Sequence, residues 1–253
     1  MGDMKPRSRA ILGVTLVLAL SACGLDAVPD PTAPPTTLGD QTQEVQDIWE
    51  IPPFAPLEPG PYFIDPDLDP STPLRVVYDV PAEGWSQWIG GAKFAGEGHV
   101  AVSITTVTNL VSDGCSDHSH SDPPVGPSVD DLATALADLA PFQVTSPPKD
   151  VTVYGYRGRY LELTVPNLPV EGAGDDRRFT GCTGGNLKSW VAPFDTEPGD
   201  AFYGYTGPGY TEEFWILDVE GIRLIIAAER SAGSPQEDLE ELRAILDSIR
   251  IEP

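Results

Sequence analysis

Hydrophobic and polar residues alternate in several short stretches of the chain, a pattern typical of β-strands that bury one face. Four such stretches cover residues 73–80, 99–108, 149–154 and 157–166, and a weaker one covers residues 189–194. The stretches EEFWILDV and IRLIIAAE flank Glu220-Gly221 and predict a hairpin with a tight turn. The chain is therefore expected to form a largely antiparallel sheet.

Two segments instead repeat their apolar residues every three or four positions, which is typical of a helix packed on a core. In residues 128–140, Ser128 is the expected N-cap and Asp131 its capping-box partner. In residues 234–249, Ser234 is the expected cap, with Pro235 in the first turn and Glu237 as capping-box partner. The second helix has an apolar stripe of Leu239, Leu242, Leu246 and Ile249.

Strands and helices of these kinds predict the α+β class, a largely antiparallel sheet with about two packed helices. A short strand at residues 249–251 is expected to follow the second helix. The sequence shows no internal repeat, and we place a single domain at residues 62–253.

The first 22 residues have the three zones of a secretory signal: a basic start, an apolar run and small residues at the end. The apolar run is too short for a membrane span, which needs about 20 residues. It ends in Leu20-Ser21-Ala22-Cys23, which resembles the lipobox of bacterial lipoproteins. The resemblance implies cleavage before Cys23 and lipidation of its thiol, so that the lipid bilayer holds the chain at the outer face of the cytoplasmic membrane. An ordinary signal peptide, leaving Cys23 as a free thiol, is the alternative.

Residues 23–61 are dense in proline and predict a disordered tether between the anchor and the domain. Within this segment the stretch VQDIWEIPPF is less polar. It is expected either to dock on the domain or to form a brief helical turn. Ordered structure is expected to begin near Tyr62.

The net charge of −24, from 39 acidic and 15 basic residues, disfavours nucleic acid as a partner because phosphates would be repelled. Besides Cys23 the chain has Cys115 and Cys182, and an even pair in a secreted chain predicts one disulfide. A reactive or metal-bound cysteine pair is the alternative.

The segment SDGCSDHSHSDPP holds two of the three histidines of the chain and suggests a metal site. In an extended segment His118 and His120 point to the same side, as two ligands of a zinc or copper ion would. Asp117 and Asp122 could add oxygen ligands. The alternative is a solvated loop beside the disulfide.

Two glycine-rich stretches carry the aromatic residues that are candidates for a binding surface: Trp85, Trp88, Tyr203, Tyr205 and Tyr210. Tyrosine and tryptophan on a loop surface favour contacts with glycans, peptides or proteins. The alternative is that these rings close the edges of the core.

Catalytic motifs are absent from the sequence, and we predict no catalytic residue and no cofactor. There is no Gly-x-Ser-x-Gly elbow or Walker loop, and His99 at the start of a predicted strand has no evident partner serine. The leading expectation is a non-catalytic binding module with an envelope protein or cell-wall partner. A metal-binding lipoprotein is the alternative, and an enzyme of cell-wall material comes third.

The order of these elements, with VTVYGYRGRYLEL in the middle and LRAILDSIRI at the end, resembles actinobacterial extracytoplasmic lipoproteins of unknown function. More distantly it resembles the Mog1/PsbP-like sandwich of mycobacterial lipoproteins of the LpqN type. The resemblance covers roughly residues 62–252 and implies a small sandwich used for binding or docking. It carries over no functional residue.

Overall fold

A computed structural model describes residues 44–95, 98–173, 176–193 and 202–253 of the chain. The predicted signal, the lipobox and Cys23 lie outside these residues.

The central layer of the domain is an antiparallel sheet of six strands within the described residues. In spatial order, with strands numbered along the chain, they are β4 (Gly90–Ala95), β5 (Gly98–Thr106), β15 (Ile222–Arg230), β14 (Thr211–Val219), β9 (Tyr156–Thr164) and β8 (Gln143–Val153). Strands β14 and β15 are the predicted hairpin, whose pairing runs from Val219 opposite Ile222 to Thr211 opposite Arg230.

A second sheet joins the beginning and the end of the domain. Its order is β1 (Gln46–Asp47), β2 (Gly60–Ile64), β3 (Arg75–Val80) and β16 (Arg250–Glu252). Strands β1 and β2 are parallel, and the other pairs are antiparallel. Helix α2 (Gln236–Ser248) packs against β3 of this sheet and β5 of the central sheet.

A third sheet has the order β13 (Phe202–Tyr205), β12 (Leu187–Val191), β6 (Asn109–Asp113) and β7 (Asp117–His120). A small antiparallel pair, β10 (Val170–Glu171) and β11 (Arg178–Phe179), lies between β9 and β12 in the chain. Helix α1 (Val129–Ala137) packs against β8, β9 and β14 of the central sheet. The disulfide between Cys115 and Cys182 links the β6–β7 turn to the segment before β12, across 67 residues of sequence.

Both faces of the central sheet are covered, as two neighbouring residues of β15 show. Successive side chains of a strand point to opposite faces. Glu229 lies beneath Tyr203 of β13, whereas Arg230 shares the carboxylate of Glu213 with Arg243 of α2. The apolar residues between the layers form one large core cluster with members from all three of these sheets and both helices.

The α+β class, the hairpin, the final short strand and the disulfide are confirmed. The predicted capping box of α1 is also present: the Ser128 hydroxyl accepts the Asp131 N–H, and the Asp131 side chain accepts the Ser128 N–H. Among the described residues, no helix combines the length and apolar character that a membrane crossing requires.

The predicted start of the domain at Tyr62 is too late. Ile48 and Leu57 are fully or almost fully buried in the core, and β1 pairs with β2. The stretch VQDIWEIPPF docks on the domain and contains a short 3-10 helix at Ile48–Glu50. Residues 44–61 therefore belong to the folded domain, because their few apolar side chains fill the core despite the surrounding prolines.

The prediction that Ser234 caps α2 is wrong. Ser234 donates its hydroxyl to the backbone oxygen of His99 and accepts the N–H of Ser231. The N-cap position is Pro235, which makes no side-chain capping bond. Ser234 instead connects the start of α2 to β5.

Candidate functional site: a buried carboxylate pair

The most unusual chemical feature of the domain is a pair of buried carboxyl groups in the centre of the sheet. Glu212 of β14 lies directly opposite Glu229 of β15. Their exposed fractions are 2% and 4%. Burying a carboxylate costs free energy unless a nearby positive charge or hydrogen-bond donors compensate for the lost water. The groups around this pair therefore determine its protonation state.

Strand β13 covers the pair with two tyrosine side chains. Tyr203 and Tyr205 are two positions apart and therefore lie on the same face of the strand. The Tyr205 hydroxyl donates to Oε2 of Glu212, and the Tyr203 hydroxyl lies near the carboxyl of Glu229. The ring of Trp190 from β12 stacks on Tyr203 with centroids 4.7 Å apart. Each carboxyl thus has a tyrosine of β13 as a partner.

His99 of β5 also approaches the pair, on the same face of the sheet. Its Nε2 lies 2.6 Å from Oε1 of Glu229, at ion-pair distance but without the alignment of a linear hydrogen bond. The imidazole packs between the rings of Phe94 and Tyr210, at centroid distances of 4.8 and 5.8 Å. Phe94 is 57% exposed, so this row of rings runs from the buried pair to the surface.

The electrostatic environment favours a neutral Glu212. Burial, and secondly the nearby Glu229 carboxyl, raise the pKa of Glu212 well above its ordinary value, although contacts from Tyr205 and Trp190 act in the opposite direction. Burial also raises the pKa values of Tyr203 and Tyr205 far above the ordinary tyrosine value, with the two carboxyls as further causes. Glu212 therefore keeps its proton at pH values where an exposed glutamate is ionised.

The hydrogen bonding of the pair is incomplete within the described part of the chain. Oε1 of Glu212 and Oε2 of Glu229 are buried without a hydrogen-bond partner, and the Trp190 N–H has no well-aligned acceptor. A proton on one of the two oxygens would turn an acceptor into a donor. The carboxyl pair can therefore bind one proton, and this protonation is coupled to the position of β13.

A second feature is the exposed ring of Phe54, which packs on the partly buried Trp88; the two are here called the Phe54–Trp88 patch. Their ring centroids are 5.5 Å apart, and Phe54 is 62% exposed. The Phe54 backbone is in the left-handed region at φ 62°. Two backbone hydrogen bonds hold it, from Phe54 N–H to the oxygen of Gln87 and from Gln87 N–H to the oxygen of Ala55. The ring is thus presented to solvent on a fixed backbone.

A third feature is an open cleft of about 470 Å³ beside α2. Glu213 lies in it and pairs with both Arg230 and Arg243 at 2.9 Å. Arg230 also pairs with Glu162 at 3.4 Å. These two arginines and two glutamates balance each other in charge, and they fasten α2 to the sheet.

The five aromatic residues predicted as a loop surface do not form one. Trp85 is fully buried, and Tyr205 is nearly so. Tyr203 and Tyr205 belong to β13, and Tyr210 directly precedes β14. Rings of Trp88, Tyr203, Tyr205 and Tyr210 do follow one another in contact, but as packing between layers. The alternation of β13 places its tyrosines inward, which a glycine-rich loop would not do.

The predicted metal site is also not assembled, and this is a correction. Nε2 of His118 lies 3.0 Å from the backbone oxygen of Gly114, and Oδ1 of Asp117 accepts the N–H and hydroxyl of Ser119. Across the described ranges, no three His, Cys, Asp or Glu side chains are grouped so that they could hold a metal ion. The proposed set was Asp117, His118, His120 and Asp122. Asp117 and His118 of this set make local contacts within the β6–β7 turn and strand, so the spacing of the four residues alone does not create a metal site.

Sequence reasoning missed Glu212 and Glu229, and it found no role for His99. The chain has 39 acidic residues, so composition does not single out two of them. A signal was nevertheless present, because counting outward from the predicted turn at Glu220-Gly221 places Glu212 opposite Glu229. Two like charges directly opposite in a hairpin are destabilising, which marks the pair as unusual.

Comparison of the chain with known proteins found no matching family model, no matching curated protein and no matching solved structure. Its function has to be inferred from its own residues.

Proposed function

We propose that this chain is a lipid-anchored protein at the outer face of the bacterial cytoplasmic membrane, and that its domain is a non-catalytic binding module. The signal-like first 22 residues and the lipobox-like ending at Cys23 support the anchor. The resemblance to actinobacterial extracytoplasmic lipoproteins of unknown function, and more distantly to the Mog1/PsbP-like sandwich, agrees with this role.

The observation that carries the binding role is the Phe54–Trp88 patch. A bulky residue in the left-handed region costs about 1–3 kcal/mol, and such strain concentrates at functional positions. Exposure of the Phe54 ring adds an unfavourable contact with water. The fold fixes this conformation with two backbone hydrogen bonds and supports the ring with Trp88.

An apolar side chain of an envelope protein is the partner chemistry that fits this patch. Aromatic residues held rigidly on a surface provide large contact area with little loss of conformational entropy on binding.

Photo-cross-linking in native membranes tests the proposal, with the full chain carrying p-benzoylphenylalanine at position 54. Leu68 is the matched control position, since it is 40% exposed and also has a positive φ, of 55°. We expect a discrete protein adduct from position 54 and none from position 68. Equal labelling at both positions, or no adduct at position 54, contradicts the binding role.

The anchor is tested in the same membranes with the Cys23→Ser variant. We expect the parent chain in the membrane pellet and the variant outside it, because a lipidated cysteine supplies the attachment. A parent chain that stays soluble contradicts the anchor and leaves the cross-linking result to be judged separately.

A further inference from the structure

Strand β13 is held on the domain by backbone pairing, by ring packing and by polar contacts. Among the described residues it is the end strand of its sheet and pairs along one edge with β12. Its tyrosine rings pack in the core, where Tyr203 stacks on Trp190 and Tyr205 is nearly fully buried. Tyr205 and Tyr203 also reach Glu212 and Glu229 of the β14–β15 hairpin. The charge state of the two carboxyls therefore contributes to the stability of β13 on the central sheet.

We propose that Glu212, Glu229, Tyr203 and Tyr205 form a proton-controlled latch: a proton on Glu212 holds β13 on the central sheet, and its loss releases β13. This inference does not depend on the proposed binding role, which rests on a different surface.

The geometry explains why a single proton matters. Glu212 and Glu229 are direct cross-strand partners, and among the described residues each has one buried oxygen without a hydrogen-bond partner. With a proton on Oε1, Glu212 presents a donor beside an opposing acceptor-rich carboxylate. Without it, two negative charges lie opposite each other at a buried site, where their repulsion is weakly screened. Moving β13 away admits water and relieves that repulsion.

Within the described ranges, the groups that act on Glu212 include no positive charge. Facing it are an apolar Leu163 on β9, the indole of Trp190 on β12, and the tyrosines of β13. His99 of β5 contacts Glu229, and its charge when protonated therefore acts on that partner. Three further residues lie near the tyrosines: Ser103, Tyr210 and Arg177. Ser103 contacts the Tyr203 hydroxyl, and the positive charge of Arg177 lowers the pKa of Tyr210.

The direction of the pH effect follows from proton linkage. Below the ordinary glutamate pKa, Glu212 is protonated with β13 either attached or released. Above that value, a released β13 lets Glu212 ionise, whereas the closed state retains the proton because burial and Glu229 raise the pKa of Glu212. The equilibrium constant for release should therefore rise about tenfold per pH unit until Glu212 ionises in the closed state.

Amide hydrogen exchange of the β13 segment tests the latch between about pH 6 and pH 8. An exposed glutamate is ionised throughout this range. After correction for intrinsic exchange rates, protection of β13 in the parent chain should fall as the pH rises, with a limiting slope of about tenfold per pH unit while Glu212 keeps its proton in the closed state. The Glu212→Gln variant has the shape of the protonated acid and should show no such slope. Glu213→Gln is the matched control, since its side chain points to the opposite face and the slope should remain.

A slope that persists in Glu212→Gln, or a parent chain without a slope, overturns the proposal. Infrared spectroscopy keeps the test decisive if Glu212→Gln does not fold. The parent chain at neutral pH should then show the carbonyl stretch of a protonated carboxyl, and Glu213→Gln should retain it. Absence of that band from the parent chain also overturns the latch.

Discussion

Trp85 is fully buried and donates its indole N–H to Oε2 of Glu241 on α2, at 2.8 Å. Lys93 pairs with the same oxygen at 2.8 Å and with Asp238 at 2.7 Å. A buried tryptophan needs a partner for its N–H, and here the partner belongs to the helix. Trp85 is therefore a residue that fastens α2 to the sheet, and not a surface for a ligand.

We expect Trp85→Phe to lower the free energy of unfolding by about 2 kcal/mol, because it removes the N–H donor and leaves unfilled volume. Urea unfolding followed by circular dichroism measures the change. Phe54→Ser is the control, since Phe54 is exposed, and its effect should stay within about 0.5 kcal/mol. Equal effects of the two substitutions would show that Trp85 does not hold the helix.

At the scale of elements, β9 and β14 pack closely at a glycine that leaves no room for a side chain. A Cβ atom at Gly158 would lie 1.9 Å from the backbone oxygen of Ile216. Such an overlap with backbone cannot be relieved by a side-chain rotation, so the two strands would have to separate. We expect Gly158→Ala to cost about 3 kcal/mol and to lower the melting temperature measured by calorimetry.

Gly181→Ala is the matched control for this substitution. A Cβ atom at Gly181 would have no neighbour within 4 Å, and its φ is outside the left-handed region. The control should leave the melting temperature within about 2 °C of the parent chain. A Gly158→Ala variant as stable as the control would mean that β9 and β14 can separate at that point without loss.

How much of this architecture can be predicted depends on the residues that form each strand. The hairpin is predictable because its two strands are rich in β-branched and aromatic residues and flank a short turn, and β9 is recognisable because Leu161 and Leu163 alternate with polar residues. Strand β2 contains Pro61, and β4 begins with two glycines, so neither has a clear strand signal. Both strands form because their partners β3 and β5 supply the pairing and the core supplies the burial.

The candidate site shows the same division between local and long-range information. The hairpin fixes Glu212 opposite Glu229, so half of the site follows from a predictable element. The tyrosines of β13 and His99 of β5 reach the pair through contacts between strands that are distant in sequence. Tertiary packing alone decides those contacts, which explains why Tyr203 and Tyr205 were predicted on a loop surface.

For the whole molecule, the dominant property is its negative charge of −24. Several basic residues, including Lys93, Arg159 and Arg230, are already paired with acidic side chains. The excess carboxylates therefore repel each other over the surface, and compactness brings them closer than in the unfolded chain. This charge also disfavours contact with anionic lipid headgroups, so a lipid anchor would hold a domain that stands away from the membrane.

Salt should consequently stabilise this protein. Raising sodium chloride from low concentration to about 0.5 M shortens the Debye length below about 10 Å and screens the surface repulsion. We expect the melting temperature at pH 7 to rise by about 3 °C. Near the isoelectric point of about 4.1 the net charge approaches zero, and the same addition of salt should have little effect. A melting temperature that falls with salt at pH 7 would show that local ion pairs such as Arg159–Asp130 outweigh the global repulsion.

Because Glu212 and Glu229 are buried, salt should leave the pH dependence of β13 unchanged, which separates the charge of the surface from that of the latch.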